Sequence, residues 1–220
     1  MTFIEFAEGP LLWIAFLTFV IGTILRFVLF FTISAKRDKI VYQYFNVKWI
    51  ALTILRWLLP INRDILKNPV YTICGYILHF CLLLVPIFFS AHVLLWEEGV
   101  FEWSWWIMPD VWADWMTLVV IAIIIFFILR RMLSADVRIL TTATDYIALV
   151  VTALPFVTGY FAIHGTLGSA VSPDTMHLIH VLSGELMLIL LPFTKLNHYI
   201  LFFLSRGVAG IEFGRRGYSI

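Results

Sequence analysis

Residues 180–198 read HVLSGELMLILLPFTKLNH, so two histidines eighteen positions apart enclose a run of mostly apolar side chains. On one continuous helix this spacing makes about five whole turns and about 27 Å of rise. That length is close to the hydrocarbon thickness of a bilayer, about 30 Å. We therefore predict that His180 and His198 project from one face of a membrane helix, one near each edge of the bilayer.

The composition excludes a soluble domain. Of the 220 residues, 62% are hydrophobic and 13% are charged, and the mean hydropathy is +0.96. So few charges could not cover the surface of a soluble protein of this size. Five segments are long enough to cross a bilayer as helices, at about 11–33, 70–96, 112–133, 144–163 and 176–204. The predicted fold is an all-α integral membrane protein, one five-helix bundle over residues 1–220.

The charges give this bundle an orientation, because every lysine and arginine falls on one side of the predicted spans. By the positive-inside rule the N-terminus is outside and the C-terminus is cytoplasmic. We expect a multi-pass protein of a bacterial or archaeal cytoplasmic membrane that binds no nucleic acid. The basic residues are Arg26, Lys36, Arg37, Lys39, Lys48, Arg56, Arg63, Lys67, Arg130, Arg131, Arg138, Lys195, Arg206, Arg215 and Arg216.

Two further segments bear on the topology. The N-terminus lacks a basic region and a small-residue cleavage site, so we expect the first span to be retained. Residues 46–60 set apolar side chains against Lys48, Thr53 and Arg56, a pattern typical of a helix lying on the inner membrane surface. A simple amphipathic tether between two spans is the alternative.

Six histidines lie inside the predicted spans or at their edges. Ionisable groups within a membrane are costly, so each is a candidate functional residue, or else it hydrogen-bonds a neighbouring helix. If the second span runs outward and the fifth inward, His92 lies level with His180, and His79 level with His198. Two imidazoles on opposite sides of a haem iron leave it six-coordinate and suited to electron transfer. The six are His79, His92, His164, His177, His180 and His198.

One observation fits the pairing less well. The thirteen residues from His79 to His92 correspond to roughly 220° of rotation, so on a straight helix the two rings would face different ways. Pro86 lies between them, and a proline removes a backbone hydrogen bond and kinks a helix. We predict that Pro86 turns both rings toward the fifth span.

Four other polar residues are candidates for binding a cofactor. Arg26 could pair with a haem propionate, or its side chain could extend to the inner headgroups. Glu185 could relay a proton from a quinone, or pair with a neighbouring helix. His164 and His177 lie at outer helix ends, where they could hydrogen-bond a quinone oxygen. His177 could also replace His180 as a ligand, although it lies about 60° from the His198 stripe.

Residues 176–198, MHLIHVLSGELMLILLPFTKLNH, resemble the last helix of the respiratory nitrate reductase gamma subunit family, the di-haem b-type cytochromes. The first span, FVIGTILRF at 19–27, is similar to that family's first helix, with Gly22 and Arg26 in register. The resemblance implies two b-type haems, with His180 and His198 each binding one and two second-helix histidines completing the sets. It also implies a quinone site, for menaquinone or another quinone, beside the outer haem, and a cytoplasmic iron–sulfur subunit.

The chain departs from that family in two places. Its His79 and His92 are further apart than the matching histidines of nitrate reductases, and no lysine or arginine occurs between Lys67 and Arg130 to serve the quinol pocket. Both departures favour the relatives of the family in anaerobic bacteria. There a similar cytochrome sits with a heterodisulfide-reductase-like iron–sulfur protein and often a periplasmic multihaem cytochrome c, for which the acidic outer connection would be a complementary surface.

The chain is therefore predicted to be part of an enzyme, as the electron-transfer subunit of a quinone-linked oxidoreductase complex, and the sequence assigns it no catalytic residue. It would carry electrons between quinone, or a periplasmic cytochrome, and a cytoplasmic iron–sulfur subunit resembling either the nitrate reductase beta subunit or heterodisulfide reductase. One alternative is a haem-free anchor or transporter with a histidine-lined path. Another is a stand-alone cytochrome of the b561 or ferric-reductase type.

Overall fold

The computed structural model describes residues 2–59, 67–99, 102–165 and 170–218. Every regular element within these ranges is a helix, so the predicted all-α class is correct. Pro60, the predicted end of the interfacial segment, and the basic residue Arg63 lie outside the described residues. The helices are α1 Phe3–Phe6, α2 Leu12–Arg37, α3 Lys39–Gln43, α4 Val47–Leu58, α5 Pro69–Phe88, α6 Ser90–Glu97, α7 Asp110–Leu133, α8 Ala135–Ile139, α9 Ala143–His164, α10 Pro173–Leu190 and α11 His198–Arg215.

Four helical stretches of the described chain are long and apolar enough to cross a membrane. They are Phe3–Arg37, in which a π-helical turn joins α1 to α2, then Pro69–Phe88, Asp110–Leu133 and Ala143–His164. A fifth crossing requires Pro173–Leu190 and Lys195–Arg215 to act together across a break. The chain thus has the helices of a multi-pass membrane protein, while its orientation stays a prediction.

The helices fall into two compact units, Met1–Gly9 with Val70–Met187 and Pro10–Pro69 with Leu188–Ile220. In the first unit α7 packs against α9. Its apolar core comes from α5, α7 and α9, where apolar side chains recur at helical spacing. Thr142 and Asp145 form a capping box at the start of α9, and Gly165, with φ 57°, ends that helix. The core residues are Leu78, Cys81, Val85, Val120, Ile123, Ile124, Phe127 and Phe156.

The predicted second span, 70–96, is broken at Phe89, where α5 has ended and α6 has not begun. Phe89 adopts extended backbone angles, φ −69° and ψ 137°. The break follows Pro86 by three residues, which agrees with the interruption predicted at that proline. A break in mid-helix leaves carbonyl groups without their usual i+4 donors, and in a membrane such groups must find partners within the protein.

Three consecutive carbonyls before this break each receive a replacement donor. The His92 ring nitrogen Nδ1 lies 3.1 Å from the Pro86 oxygen. The Trp105 indole N–H donates to the Ile87 oxygen at 2.7 Å. The Met108 backbone N–H donates to the Phe88 oxygen at 2.9 Å. The segment after α6 therefore closes the end of α5, and one of the three donors is a candidate ligand.

In the second unit α4 packs closely along α11. Asn46 caps α4 by accepting from the backbone N–H groups of Lys48 and Trp49. Gly210 of α11 lies directly against α4, because a Cβ there would come within 2.7 Å of the Trp49 oxygen and 2.5 Å of the Thr53 hydroxyl. The predicted amphipathic helix at 46–60 is thus present as Val47–Leu58, and its location at the membrane surface stays a prediction.

The predicted continuous fifth helix, 176–204, is wrong. Helix α10 ends at Leu190, a 3-10 turn follows at Lys195–Asn197, and α11 begins at His198. Pro192 lies in this break, where its ring prevents the helical hydrogen bond and clashes with the preceding turn. The Pro192 ring packs directly against Gly22 of α2, where any larger residue would clash, since a Cβ at Gly22 would come within 2.7 Å of the ring. Eighteen residues of spacing therefore do not place His180 and His198 on one face of one helix.

Candidate functional site

The first unit brings two of the predicted ligands together. The imidazole rings of His92 and His180 have their centroids 6.0 Å apart, and their planes differ by 6°. His92 lies in α6, just after the break at Phe89, and His180 lies in the first half of α10. The break at Phe89 changes the direction of the chain before His92, which a straight helix from α5 would not do. The outer pair predicted from the sequence therefore exists as two parallel rings.

Hydrogen bonds fix which nitrogen of each ring carries the proton. A carbonyl oxygen only accepts, so His92 must donate to Pro86 from Nδ1. His180 Nδ1 lies 3.3 Å from the Thr158 hydroxyl oxygen, and Thr158 gives its own proton to the Leu154 carbonyl at 2.7 Å. Thr158 is therefore the acceptor from His180. In both neutral rings the lone pair then lies on Nε2, the arrangement typical of histidines that bind a metal.

A glycine makes room for the His180 ring on α9. A Cβ at Gly159 would stand 2.9 Å from His180 Cε1 and 3.1 Å from Nδ1, closer than real Cβ atoms approach a neighbour. The ring therefore lies against bare backbone. One turn after His180 on the same helix, Gly184 has no atom within 4 Å of the position of its missing Cβ. The structure thus leaves open space at Gly184, one turn beyond His180, where a longer side chain would stand.

The distance between the rings suits a shared metal. A metal–imidazole bond is about 2.0 Å and a ring nitrogen lies about 1.1 Å from its ring centroid, so two rings on opposite sides of one metal have centroids about 6 Å apart. The described residues contain no group of three or more His, Cys, Asp or Glu side chains that could hold a metal ion. Two imidazoles at this spacing could bind a metal whose remaining donors come from a cofactor, as a porphyrin supplies four donors to iron.

His79 and His198 belong to different units, and each is described within its own. His79 Nδ1 donates to the Gly75 carbonyl at 2.7 Å. His198 Nδ1 donates to the Lys195 carbonyl at 3.0 Å. Both rings thus have the same tautomer as His92 and His180, with the lone pair on Nε2 when neutral. Their pairing with each other stays a prediction.

The two histidines predicted to serve the quinone, His164 and His177, each contact a carboxylate from another part of the first unit. His164 Nε2 lies 3.0 Å from Asp114 Oδ1, and its ring packs on Tyr160 with centroids 4.4 Å apart. His177 Nε2 lies 2.7 Å from Glu8 Oε1. All four side chains are partly exposed. Each of the predicted quinone-binding histidines thus forms a pair with a carboxylate near a helix end.

The other two candidates have contrasting surroundings. The Glu185 side chain is buried, with 3% of the residue exposed, and neither carboxyl oxygen has a hydrogen-bond partner within the described chain. The Arg26 Nε donates to the Pro192 carbonyl at 2.7 Å, so Arg26 stabilises the break between α10 and α11. Its predicted contact with a haem propionate stays a prediction.

Comparison with other proteins gives one relative and no description of activity. No protein-family model matches the chain, and no solved structure matches it. A protein of Nitratidesulfovibrio vulgaris (strain Hildenborough) is 35% identical over 219 residues, covering 96% of this chain and 94% of that protein. This chain belongs to the family of that protein. The likeness covers nearly the full length of both chains. The relative is named only "Protein", and that name states no function.

Sequence reasoning missed Thr158 and Gly159, which position His180. Both lie in the fourth span, which contains further alanines and threonines, so neither stood out. The available signal was a threonine followed directly by the one glycine of helix α9. Such small residues mark close approaches between membrane helices.

Proposed function

We propose that this chain is a membrane-embedded cytochrome b, the electron-transfer subunit of a quinone-linked oxidoreductase complex. His92 and His180 would be the axial ligands of one b-type haem, and His79 and His198 those of a second. The observation that carries the proposal is the pair of parallel imidazoles, 6.0 Å apart, each with its Nδ1 nitrogen engaged. The resemblance of residues 176–198 to the nitrate reductase gamma subunit family is consistent with this function.

A haem with two imidazole ligands supplies reversible one-electron chemistry and offers no site for oxygen or substrate. The protein's part is to hold the rings and exclude water. Thr158 and the Pro86 carbonyl accept from the two Nδ1 nitrogens, which fixes the ring orientation and makes Nε2 a stronger donor. The bulky apolar residues of the α5, α7 and α9 core belong to the same unit as both rings and would help to exclude water.

The outer histidine–carboxylate pairs are proposed to serve the quinone. A hydroquinone that gives up two electrons also releases two protons, and a histidine hydrogen-bonded to a carboxylate can accept one of them. His164 with Asp114 and His177 with Glu8 are suitable acceptors, since their partial exposure gives the proton an exit. The cytoplasmic iron–sulfur subunit and a periplasmic multihaem cytochrome c remain the proposed partners.

The test is the haem content of the purified protein and its histidine variants. We expect reducible b-type absorbance in the wild type, and loss of one haem per chain from His92→Ala and from His180→Ala. His164→Ala is the matched control, because that histidine has no place in the proposed ligand sets and should leave the haem content unchanged. A chain without b-type absorbance would contradict the proposal and favour a haem-free anchor or transporter. Absence of a co-purifying iron–sulfur subunit would favour a stand-alone cytochrome.

A further inference from the structure

A cleft lies within the second unit, between the end of α2 and the middle of α11. It has a volume of about 330 Å³ and is open to the outside. Its lining on α2 follows one helical stripe, at positions i, i+3, i+4 and i+7, and its lining on α11 is three residues apart. The lining residues are Phe30, Ile33, Ser34, Arg37, Asp38, Ser205 and Val208.

The cleft is apolar at one end and polar at the other. On α2, Phe30 and Ile33 are apolar, whereas Arg37 and the following Asp38 are charged and lie at the end of that helix. Between them the Ser34 hydroxyl oxygen is buried and has no hydrogen-bond partner within the described chain. A buried hydroxyl without a partner is uncommon, because leaving it unpaired costs about 1–3 kcal/mol. This hydroxyl is therefore a ready contact for a polar group that enters the cleft.

The two charges in the cleft are opposite, adjacent and not joined to each other. Within the described residues neither the Arg37 nor the Asp38 side chain has an ion-pair partner. A simple anion would be repelled by Asp38, and a simple cation by Arg37. A ligand that carries both a phosphate and an ammonium is complementary to the two charges together, because both side chains line the same cleft.

The depth of the cleft indicates the source of such a ligand. Arg37 ends the stretch Phe3–Arg37, which is long and apolar enough to cross a membrane. Helix α2 alone has 26 residues, about 39 Å at 1.5 Å per residue, which exceeds a hydrocarbon core of about 30 Å. The end of α2 therefore reaches the level of lipid headgroups. The apolar end of the cleft then faces the acyl chains, and the polar end faces the headgroups.

We propose that this cleft binds an aminophospholipid of the phosphatidylethanolamine type. Arg37 holds the phosphate through charge-assisted hydrogen bonds, and Asp38 receives the primary ammonium. The Ser34 hydroxyl donates to a phosphate or ester oxygen. Phe30, Ile33 and Val208 contact the first part of an acyl chain. The proposal does not depend on the haem ligands, all of which lie outside this cleft.

The test is lipid binding to the full-length chain, with any subunits that co-purify, by native mass spectrometry in detergent. Three lipids with identical acyl chains serve as probes: phosphatidylethanolamine, phosphatidylglycerol, which lacks the ammonium, and phosphatidylcholine, whose quaternary ammonium cannot donate a hydrogen bond. We expect phosphatidylethanolamine to bind about tenfold more tightly than either of the others, the effect of one charge-assisted hydrogen bond.

Variants separate the two charges. Arg37→Gln should weaken binding of both phosphatidylethanolamine and phosphatidylglycerol about tenfold. Asp38→Asn should weaken phosphatidylethanolamine alone and thereby abolish the preference. Lys36→Gln is the matched control, because Lys36 is the neighbouring cation but does not line the cleft. Haem content and thermal unfolding of each variant show whether the protein remains folded, and failure of the haem proposal would leave these lipid preferences unchanged.

Three outcomes would overturn the proposal. The first is equal binding of all three lipids. The second is a lipid preference that survives in both Arg37→Gln and Asp38→Asn. The third is binding of inorganic phosphate alone with displacement of the lipid, which would indicate a site for free anions.

Discussion

The His180 ring rests directly on the backbone of Gly159, so closely that a methyl group at position 159 would stand 2.9 Å from ring atom Cε1. The glycine belongs to α9 and the histidine to α10, so the fourth span determines the position of a proposed ligand on the fifth. His180 in turn lies parallel to His92 of α6. Three helices of one unit therefore determine the geometry of the proposed haem site.

Gly159→Ala should displace the His180 ring and lower the haem content by one haem per chain, because the neighbour that must move is a ring packed on backbone rather than a flexible side chain. The measurement is the ratio of haem to protein after purification. Gly9→Ala is the control, since no atom lies within 4 Å of a Cβ at Gly9. Full haem content in Gly159→Ala would show that His180 is not a ligand or that its position is adaptable.

Thr158→Val should weaken haem retention about 10–100-fold, the usual effect of removing the group that orients a metal-binding histidine. Valine keeps the shape of threonine but cannot accept from His180 Nδ1. Thr158→Ser keeps the hydroxyl and should restore retention, which a purely steric role would not require. Haem transfer to an excess of apomyoglobin gives the retention, and the midpoint potential should shift in the valine variant alone. Equal behaviour of the two variants would contradict a role for the hydroxyl.

Trp105→Phe should lower the free energy of unfolding by about 1 kcal/mol, because the Ile87 carbonyl at the break loses its donor. Thermal unfolding in detergent gives the measurement. Trp112→Phe is the control, an exposed tryptophan at the start of α7 that should lose almost nothing. If both variants unfold at the same temperature, solvent or lipid replaces the indole at the break.

Gly210→Ala should destabilise the protein by about 1–3 kcal/mol, since the new methyl group would meet the backbone of α4 at Trp49. Gly207→Ala is a graded comparison within the same interface. A methyl group there meets only the Ile50 side chain, at 3.3 Å, and we expect a change of less than about 1 kcal/mol. Thermal unfolding of the two variants should therefore differ clearly, and the reverse order would contradict the packing of α4 on α11.

Glu185→Leu should raise the free energy of unfolding by about 1–3 kcal/mol. The substitution removes two buried oxygens that have no hydrogen-bond partner in the described chain and replaces them with apolar atoms. Glu185→Gln keeps the shape and the buried polar atoms, so its stability should remain nearer to that of the wild type. Loss of stability in Glu185→Leu would mean that the carboxyl group has a hydrogen-bond partner in the assembled protein, such as a group on a proton path toward the quinone.

Much of the helical arrangement could be predicted from hydrophobicity alone. Segments such as 112–133 and 144–163 contain no interruption strong enough to end a helix, and they match Asp110–Leu133 and Ala143–His164 closely. Prediction failed at one of the two prolines that lie near helix breaks. Pro86 was expected to bend the second span, which breaks three residues later, whereas Pro192 was not expected to end α10. Hydropathy measures whether a segment prefers lipid, and it does not register a missing N–H.

By itself, the sequence determined that the chain is helical, that it suits a membrane, and that its histidines are the residues to examine. These conclusions follow from composition and from the cost of polar groups in lipid, which depend on no distant contact. Only the tertiary structure decided that the His92 and His180 rings lie parallel with centroids 6.0 Å apart, that Thr158 and Gly159 contact the second ring, and that His180 and His198 lie on separate helices. The reason is physical. The direction of a histidine ring depends on where its helix is interrupted and on which donors hydrogen-bond the carbonyl groups left without helical partners, and those donors are distant in sequence.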